Sequence, residues 1–181
     1  MAHVTLVDPA SADASVKPTL DQINGAFGVV PNMFKAVANS PAALVSMWGA
    51  FGALGSGKLG ARLGEEIAVA VANANACEYC LAAHTALGKK AGASGDEMAD
   101  AQVGRSADPR TQAALTFALK VVRDRAAVTQ SDVAALKAAG FDDEGVVEII
   151  AHVALNLFTN YVNVALDVPV DFPGVRLKQA A

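Results

Sequence analysis

Helix-start signals recur along this chain at intervals that leave little room for β-strands. Ser40 before Pro41 and Asp108 before Pro109 each set a capping side chain ahead of a proline at the first helical position, where the missing N–H costs nothing. Ser94 with Glu97 has the spacing of a capping box, and Thr129 with Asp132 is a weaker version of it. Gly92 and Gly140 stand where helices should stop, one residue past the C-cap. The pattern predicts an all-α chain, a compact single-domain helical bundle of about eight or nine helices. A short opening segment, VTLVDPA, can run extended. No linker, low-complexity tract or shift in composition divides residues 1–181, so one domain suffices.

Two segments, GARLGEEIAVAVANA and VVEIIAHVALNLFTNYVNVAL, carry apolar residues nearly all round, as helices buried in a core or between subunits do. With 53% hydrophobic residues in 181, the chain has more apolar surface than one core can hide, and a homo-oligomer is expected. No uninterrupted apolar run approaches the roughly 18–20 residues of a membrane span, so no membrane partner is expected. The net charge of -4 and scattered cations leave no basic stripe, which excludes nucleic acid as a partner. The opening residues lack a positive start followed by an apolar run, and two cysteines are too few for a secreted disulfide framework. Both points predict a cytoplasmic location. No glycine-rich phosphate loop is present, and no organic cofactor is expected.

The chemistry of the chain is concentrated in ANACEYCLAAHT, residues 74–85, which holds both cysteines, Cys77 and Cys80, and then His84. Two cysteines placed at random in a chain of this length fall at this spacing about once in ninety, so spacing alone does not decide their role. Local geometry adds weight. Asn75 is expected to cap a new helix starting near Cys77, which sets both sulfurs in a first turn where unpaired N–H groups favour a thiolate. At 3.6 residues per turn, Cys77, Cys80 and His84 lie within about 60° on one face. His84, one turn after Cys80, can take its proton directly or through a water, and Cys77 can close a disulfide with an oxidised Cys80.

The stretch EEIAVAVANANACEYCLAAHT resembles the motif of the alkyl hydroperoxidase D-like (AhpD-like) group of the carboxymuconolactone decarboxylase superfamily, a glutamate, eleven residues, then Cys-x-x-Cys-x-x-x-His. Glu65, Cys77, Cys80 and His84 fall on its four positions. FGVVPNMFKAVANSPAAL and EIIAHVALNLFTNYVNVALDVPVDFP are similar to flanks of the peroxidase-related subgroup. The resemblance implies an all-helical fold assembled as dimers, trimers or hexamers. It implies that Cys80 attacks a hydroperoxide, that Cys77 resolves it, and that His84 and Glu65 relay protons. It also implies a dihydrolipoyl or thioredoxin-like thiol protein as reductant. Spacing alone does not separate Glu65 from its neighbour Glu66. One position departs: Tyr79 stands where the best-studied members carry a second histidine, and it reads as a packing or interface residue or as a hydroxyl lining the pocket.

The reading that follows is a thiol-dependent peroxidase. Two others stand beside it: a decarboxylase-like enzyme on a lactone or related acid, and a metal-binding module using Cys77, Cys80 and His84. The metal reading lacks the fourth ligand of a closed zinc site, so no metal is expected. A second constellation, His152, Asn156, Thr159, Asn160 and Asn163, makes a polar stripe along one face of an apolar helix. Either it forms a hydrogen-bonded network across a subunit contact, or it faces the pocket and brings His152 near the thiols as an extra proton carrier.

Overall fold

The structure, a computed structural model, describes residues 2–178. Among them lie nine helices and no strand: α1 (Lys17–Phe27), α2 (Asn32–Val37), α3 (Pro41–Gly55), α4 (Ala61–Ala74), α5 (Glu78–Lys90), α6 (Gly95–Ala101), α7 (Pro109–Arg123), α8 (Gln130–Ala138) and α9 (Asp143–Ala165). The start signals act as the sequence predicts. Ser40 accepts from the Ala43 N–H at the head of α3, and Asp108 accepts from Thr111 at the head of α7. Both Ser94 with Glu97 and Thr129 with Asp132 close reciprocal capping boxes. Each such cap is worth about 1 kcal/mol.

The stop signals also hold. Gly92 takes φ +95° and Gly140 φ +92°. In each case the glycine N–H and the next N–H reach back to carbonyls of the last turn, Gly92 to Lys89 with Ala93 to Gly88, and Gly140 to Lys137 with Phe141 to Leu136. This satisfies the orphan carbonyls of the helix end. The break between α4 and α5 uses the same motif without a glycine. Ala76 N–H bonds to Asn73 O and Cys77 N–H to Ala72 O, with Ala76 at φ +53°. An L-residue there costs roughly 1–2 kcal/mol. Glycine would relieve this at about 0.4–1 kcal/mol of added unfolded-chain entropy. Ala76→Gly is therefore expected to stabilise by about 0.5–1 kcal/mol, read as a rise in Tm of about 1–4 °C. An unchanged or lower Tm would show that the strain is absent.

Helices α4 and α9 form the centre. α4 packs against α5, α6, α7 and α9, and α9 against α2, α3, α4, α5, α7 and α8. Buried side chains from Val16 to Val168 join in one hydrophobic cluster, in which Leu20, Ile23, Leu44, Met47, Ile67, Leu115 and Ile149 are fully enclosed. α4 is buried along Glu66 to Asn73, as its apolar circumference predicts.

α9 departs from two expectations. It is 23 residues long and holds an 18-residue stretch of mean hydropathy 1.3, enough in length and composition to cross a bilayer, although no uninterrupted apolar run was apparent. Scattered Asn, Thr and His break the run without lowering the average far, and within the fold those polar residues are packed against other helices. Nor is the helix enclosed all round. Val147, Ile150, Phe158 and Tyr161 are exposed on one side, while Asn156, Thr159, Asn160 and Asn163 are buried on the other. The polar face points in and part of the apolar face points out.

Candidate active site

The α4–α5 break determines how the two cysteines are presented. Asn75 does not cap α5. It is the C-cap of α4, and Cys77 is itself the N-cap of α5, its Sγ accepting the Cys80 N–H at 3.3 Å. The left-handed turn at Ala76 uses up Asn75 in ending the first helix, so the cap falls two residues later than the sequence predicts. Cys80 is at the third position of the helix, within its first turn, and both thiols are free and buried.

Four neighbours act on Cys80. Burial pushes its thiol up, and this is more than offset by a hydrogen bond from the Cys77 thiol, the nearby His84 charge and the amides of Asn163 and Asn160, which together hold it down to about 6. The Asn163 Nδ2 lies 3.1 Å from Cys80 Sγ. Cys77 moves the other way, its thiol raised by its bond to Cys80 and by burial. The first proton lost by the pair therefore leaves Cys80, and the Cys77 S–H donates to the thiolate that forms.

His84 is tied from behind. Its Nδ1 is 2.7 Å from Glu65 Oε2, so an N–H at Nδ1 donates to the carboxylate and Nε2 remains outside that bond. Burial lowers the affinity of the imidazole for its proton, and the Glu65 charge and hydrogen bond, with the Cys80 charge, raise it further than burial lowers it. The neighbouring Glu66 faces elsewhere. It is buried against Arg62, with Oε1 3.3 Å from Nε, and desolvation raises its carboxyl above the usual range despite that guanidinium.

Three spaces border these groups. Cys80 and His84 face an apolar cavity of about 40 Å³ whose wall includes Phe27, Phe34, Phe51, Leu87 and Phe172. Cys77 does not line it. Instead Cys77 lines an open cleft of about 340 Å³ between the head of α5, the end of α9 and the segment after it. Tyr79 borders both. Its hydroxyl accepts the Met33 N–H at 3.2 Å and its ring meets Phe172 edge-on at 5.8 Å, so it is a wall between the two spaces. Burial raises its phenol well above the ordinary value. The third space, about 140 Å³, is shared by Glu65, His84, His152 and Gly64. His152 thus sits beside the Glu65–His84 pair, its Nε2 buried without a hydrogen-bond partner and burial lowering its affinity for a proton.

The polar stripe of α9 lies within the chain, not across a subunit contact. Asn163 and Asn160 attend Cys80, Asn75 Nδ2 donates to Asn160 Oδ1 at 2.9 Å, Asn156 bonds the His152 carbonyl and Thr159 the Asn156 carbonyl. Sequence reasoning marked the stripe but did not assign two of its amides to the thiol. The available signal was that buried amides on an apolar helix must find partners, and the nearest polar group needing donors is a thiolate. Among the described residues no cluster of three or more His, Cys, Asp or Glu side chains has the arrangement of a metal centre.

Residues 40–124, which include Glu65, both cysteines and His84, match the carboxymuconolactone decarboxylase family. No curated protein matches the chain. Among solved structures, the alkylhydroperoxidase AhpD core of an uncharacterized peroxidase-related protein from Ralstonia eutropha JMP134 is 26% identical with a TM-score of 0.86, covering 94% of this chain and 92% of that one. An uncharacterized peroxidase-related protein from Silicibacter sp. TM1040 is 25% identical with a TM-score of 0.82, over 93% and 91%. The debrominase Bmp8 in complex with 2,3,4-tribromopyrrole shares the fold at 22% identity and a TM-score of 0.77, over 94% of each chain.

Proposed function

For a chain that belongs to the AhpD-like/carboxymuconolactone decarboxylase superfamily, we propose the function of a thiol-dependent peroxidase acting on organic hydroperoxides. The observation that carries this reading is the environment of Cys80: a buried thiol at the wall of an apolar cavity it shares with His84, bonded by the Asn163 amide and with its pKa drawn down by Cys77 and His84. The Cys80 thiolate attacks the terminal peroxide oxygen and the O–O bond breaks. The alkoxide takes the proton of the His84 imidazolium, which Glu65 holds in place, and leaves as an alcohol. Cys80 is then a sulfenic acid. The Cys77 thiol displaces its hydroxyl as water and a Cys77–Cys80 disulfide forms. The apolar wall suits an apolar substituent on the hydroperoxide, since burying it contributes roughly 25 cal/mol per Å² of apolar surface.

Intact-mass analysis of the reduced protein tests this. One equivalent of cumene hydroperoxide is expected to remove two hydrogens from the chain within seconds. Thiols that survive as long as a free cysteine does would overturn the reading.

The exposed Val147, Ile150, Phe158 and Tyr161 support a second part of the proposal, that copies of this chain associate through α9. Tyr161→Glu combined with Phe158→Glu is expected to shift the protein to monomer in sedimentation velocity at micromolar concentration. A wild-type protein that is already monomeric would dismiss the contact.

A further inference from the structure

The cavity at Cys80 is smaller than the organic group it would have to receive. At about 40 Å³ it has room for a few waters, each needing roughly 10–15 Å³, and falls well short of the roughly 150 Å³ that accommodates benzene in an engineered apolar cavity. Cys80 is 2% exposed, so its sulfur is not reached directly from the surface. Hydrogen peroxide fits the cavity as it stands, whereas an aryl or branched alkyl hydroperoxide requires a wall to give way.

Phe172 is the wall residue least held. Every other one stands on a helix, except Pro31, the buried N-cap of α2. Phe27, at the end of α1, has its ring against both Phe34 and Trp48, at 6.1 and 6.4 Å. Phe172 is half-buried in the segment after α9 and meets one ring, that of Tyr79, at 5.8 Å. The segment is tied down on either side of it. Before Phe172, Asn32 donates from its backbone N–H to the Asp171 carboxylate at 2.7 Å and from Nδ2 to the Pro169 carbonyl at 3.2 Å. After it, Gln102 Nε2 donates to the Arg176 carbonyl at 2.9 Å, and the Asn73 amide pairs with Lys178, donating to its carbonyl and accepting its N–H. Between these ties, residues 172–175 make no hydrogen bond with any other described residue, and a side chain at Gly174 would meet nothing within 4 Å. A stretch with so few bonds opens locally at far less cost than a helix does.

Resting on the peroxidase reading for the reaction, we propose that Phe172 is a specificity-determining plug: an aryl or branched alkyl group on the hydroperoxide displaces its ring, takes its place against Tyr79, and so brings the terminal peroxide oxygen to Cys80. Tyr79 is a standing surface for that group, because its hydroxyl accepts the Met33 N–H at 3.2 Å. The apolar area that the Phe172 ring loses to water is regained by burial of a substituent of similar size, since the gain scales with apolar area. A charged substituent regains nothing, and hydrogen peroxide needs no exchange. The site therefore selects organic hydroperoxides whose apolar group is about the size of a phenyl ring.

Two reagents of one chemistry read the plug without any hydroperoxide. N-methylmaleimide and N-phenylmaleimide both alkylate a thiolate and differ by the aryl group. Phe172→Ala is expected to raise the ratio of phenyl to methyl rate at Cys80, located by fragment-ion sequencing, about tenfold, and Phe172→Trp to lower it. The alanine variant should also speed oxidation by cumene hydroperoxide about tenfold and leave oxidation by hydrogen peroxide within about twofold, each read by intact mass as the loss of two hydrogens. An unaltered or lowered maleimide ratio in Phe172→Ala overturns the plug. An equal rise in Phe27→Ala overturns it too, since cavity volume alone would then set access. Wild-type thiols that outlast free cysteine in both hydroperoxides overturn the peroxidase reading instead, and the maleimide ratio still decides whether Phe172 controls the way to Cys80.

Discussion

Cys80→Ser is expected to abolish hydroperoxide reduction, a loss of about a thousandfold or more, because a serine hydroxyl at neutral pH is a far poorer nucleophile than a thiolate. The loss comes without unfolding, since serine fits where a thiol fitted and the Asn163 amide can donate to its oxygen as it does to sulfur. Cys77→Ser should behave differently. Cys80 keeps His84 and both amides, so the first oxidation proceeds, and the product stops at a sulfenic acid that dimedone traps as a single adduct. Intact mass distinguishes the three proteins: loss of two hydrogens in the wild type, one dimedone adduct in Cys77→Ser, and no change in Cys80→Ser. If Cys80→Ser reacts while Cys77→Ser is inert, the attacking and resolving roles are exchanged.

The second large effect concerns pH. Cys80 is lowered in the folded protein to about 6, so its reactive thiolate is formed as pH rises through that region and is present at neutral pH. His84, whose affinity for its proton Glu65 raises, supplies part of that shift. His84→Gln removes the cation and leaves the desolvation of a buried sulfur less opposed. The midpoint of iodoacetamide alkylation should move upward, and the rate at pH 7 should fall about a hundredfold. Glu65→Gln acts through His84: without the carboxylate the imidazole loses its proton more readily, and the Cys80 midpoint rises by a smaller amount. In both variants the deficit should be largest at low pH and narrow as alkaline pH ionises the thiol without help. A deficit constant from pH 5 to 9 would mean that His84 does not set the thiol's ionisation. Glu66→Gln is the internal control, since Glu66 meets Arg62 and not His84.

Much of this molecule is legible along the chain because it depends on neighbours in sequence. Caps such as Ser40, Asp108 and Ser94 and stops such as Gly92 and Gly140 are satisfied within one helical turn, so residue type and spacing suffice to place them. The Cys-x-x-Cys-x-x-x-His spacing is equally local, and it sets Cys77, Cys80 and His84 at the start of one helix. Asn75 shows where local reading fails. Its type suits either a helix start or a helix end, and the choice fell to the left-handed turn at Ala76, whose two return bonds close α4 first.

What tertiary structure alone decided is which distant groups meet the sulfurs. Spacing left Glu65 and Glu66 equivalent; packing of α4 on α5 turned one toward His84 and the other toward Arg62. The stripe on α9 was visible as a period, but its period does not say what it faces. The fold lays it against the head of α5, so that Asn163 and Asn160 reach a cysteine some eighty residues earlier. The separation of a cavity at Cys80 from a cleft at Cys77 arises from Tyr79, which the sequence marked as packing or pocket lining but not as a dividing wall, and from Phe172 and the segment after α9, which sequence spacing does not mark. Sequence determines what each helix can offer, because propensity and capping are short-range. The third dimension determines what those offers meet, because burial and hydrogen bonding act between surfaces that only packing brings together.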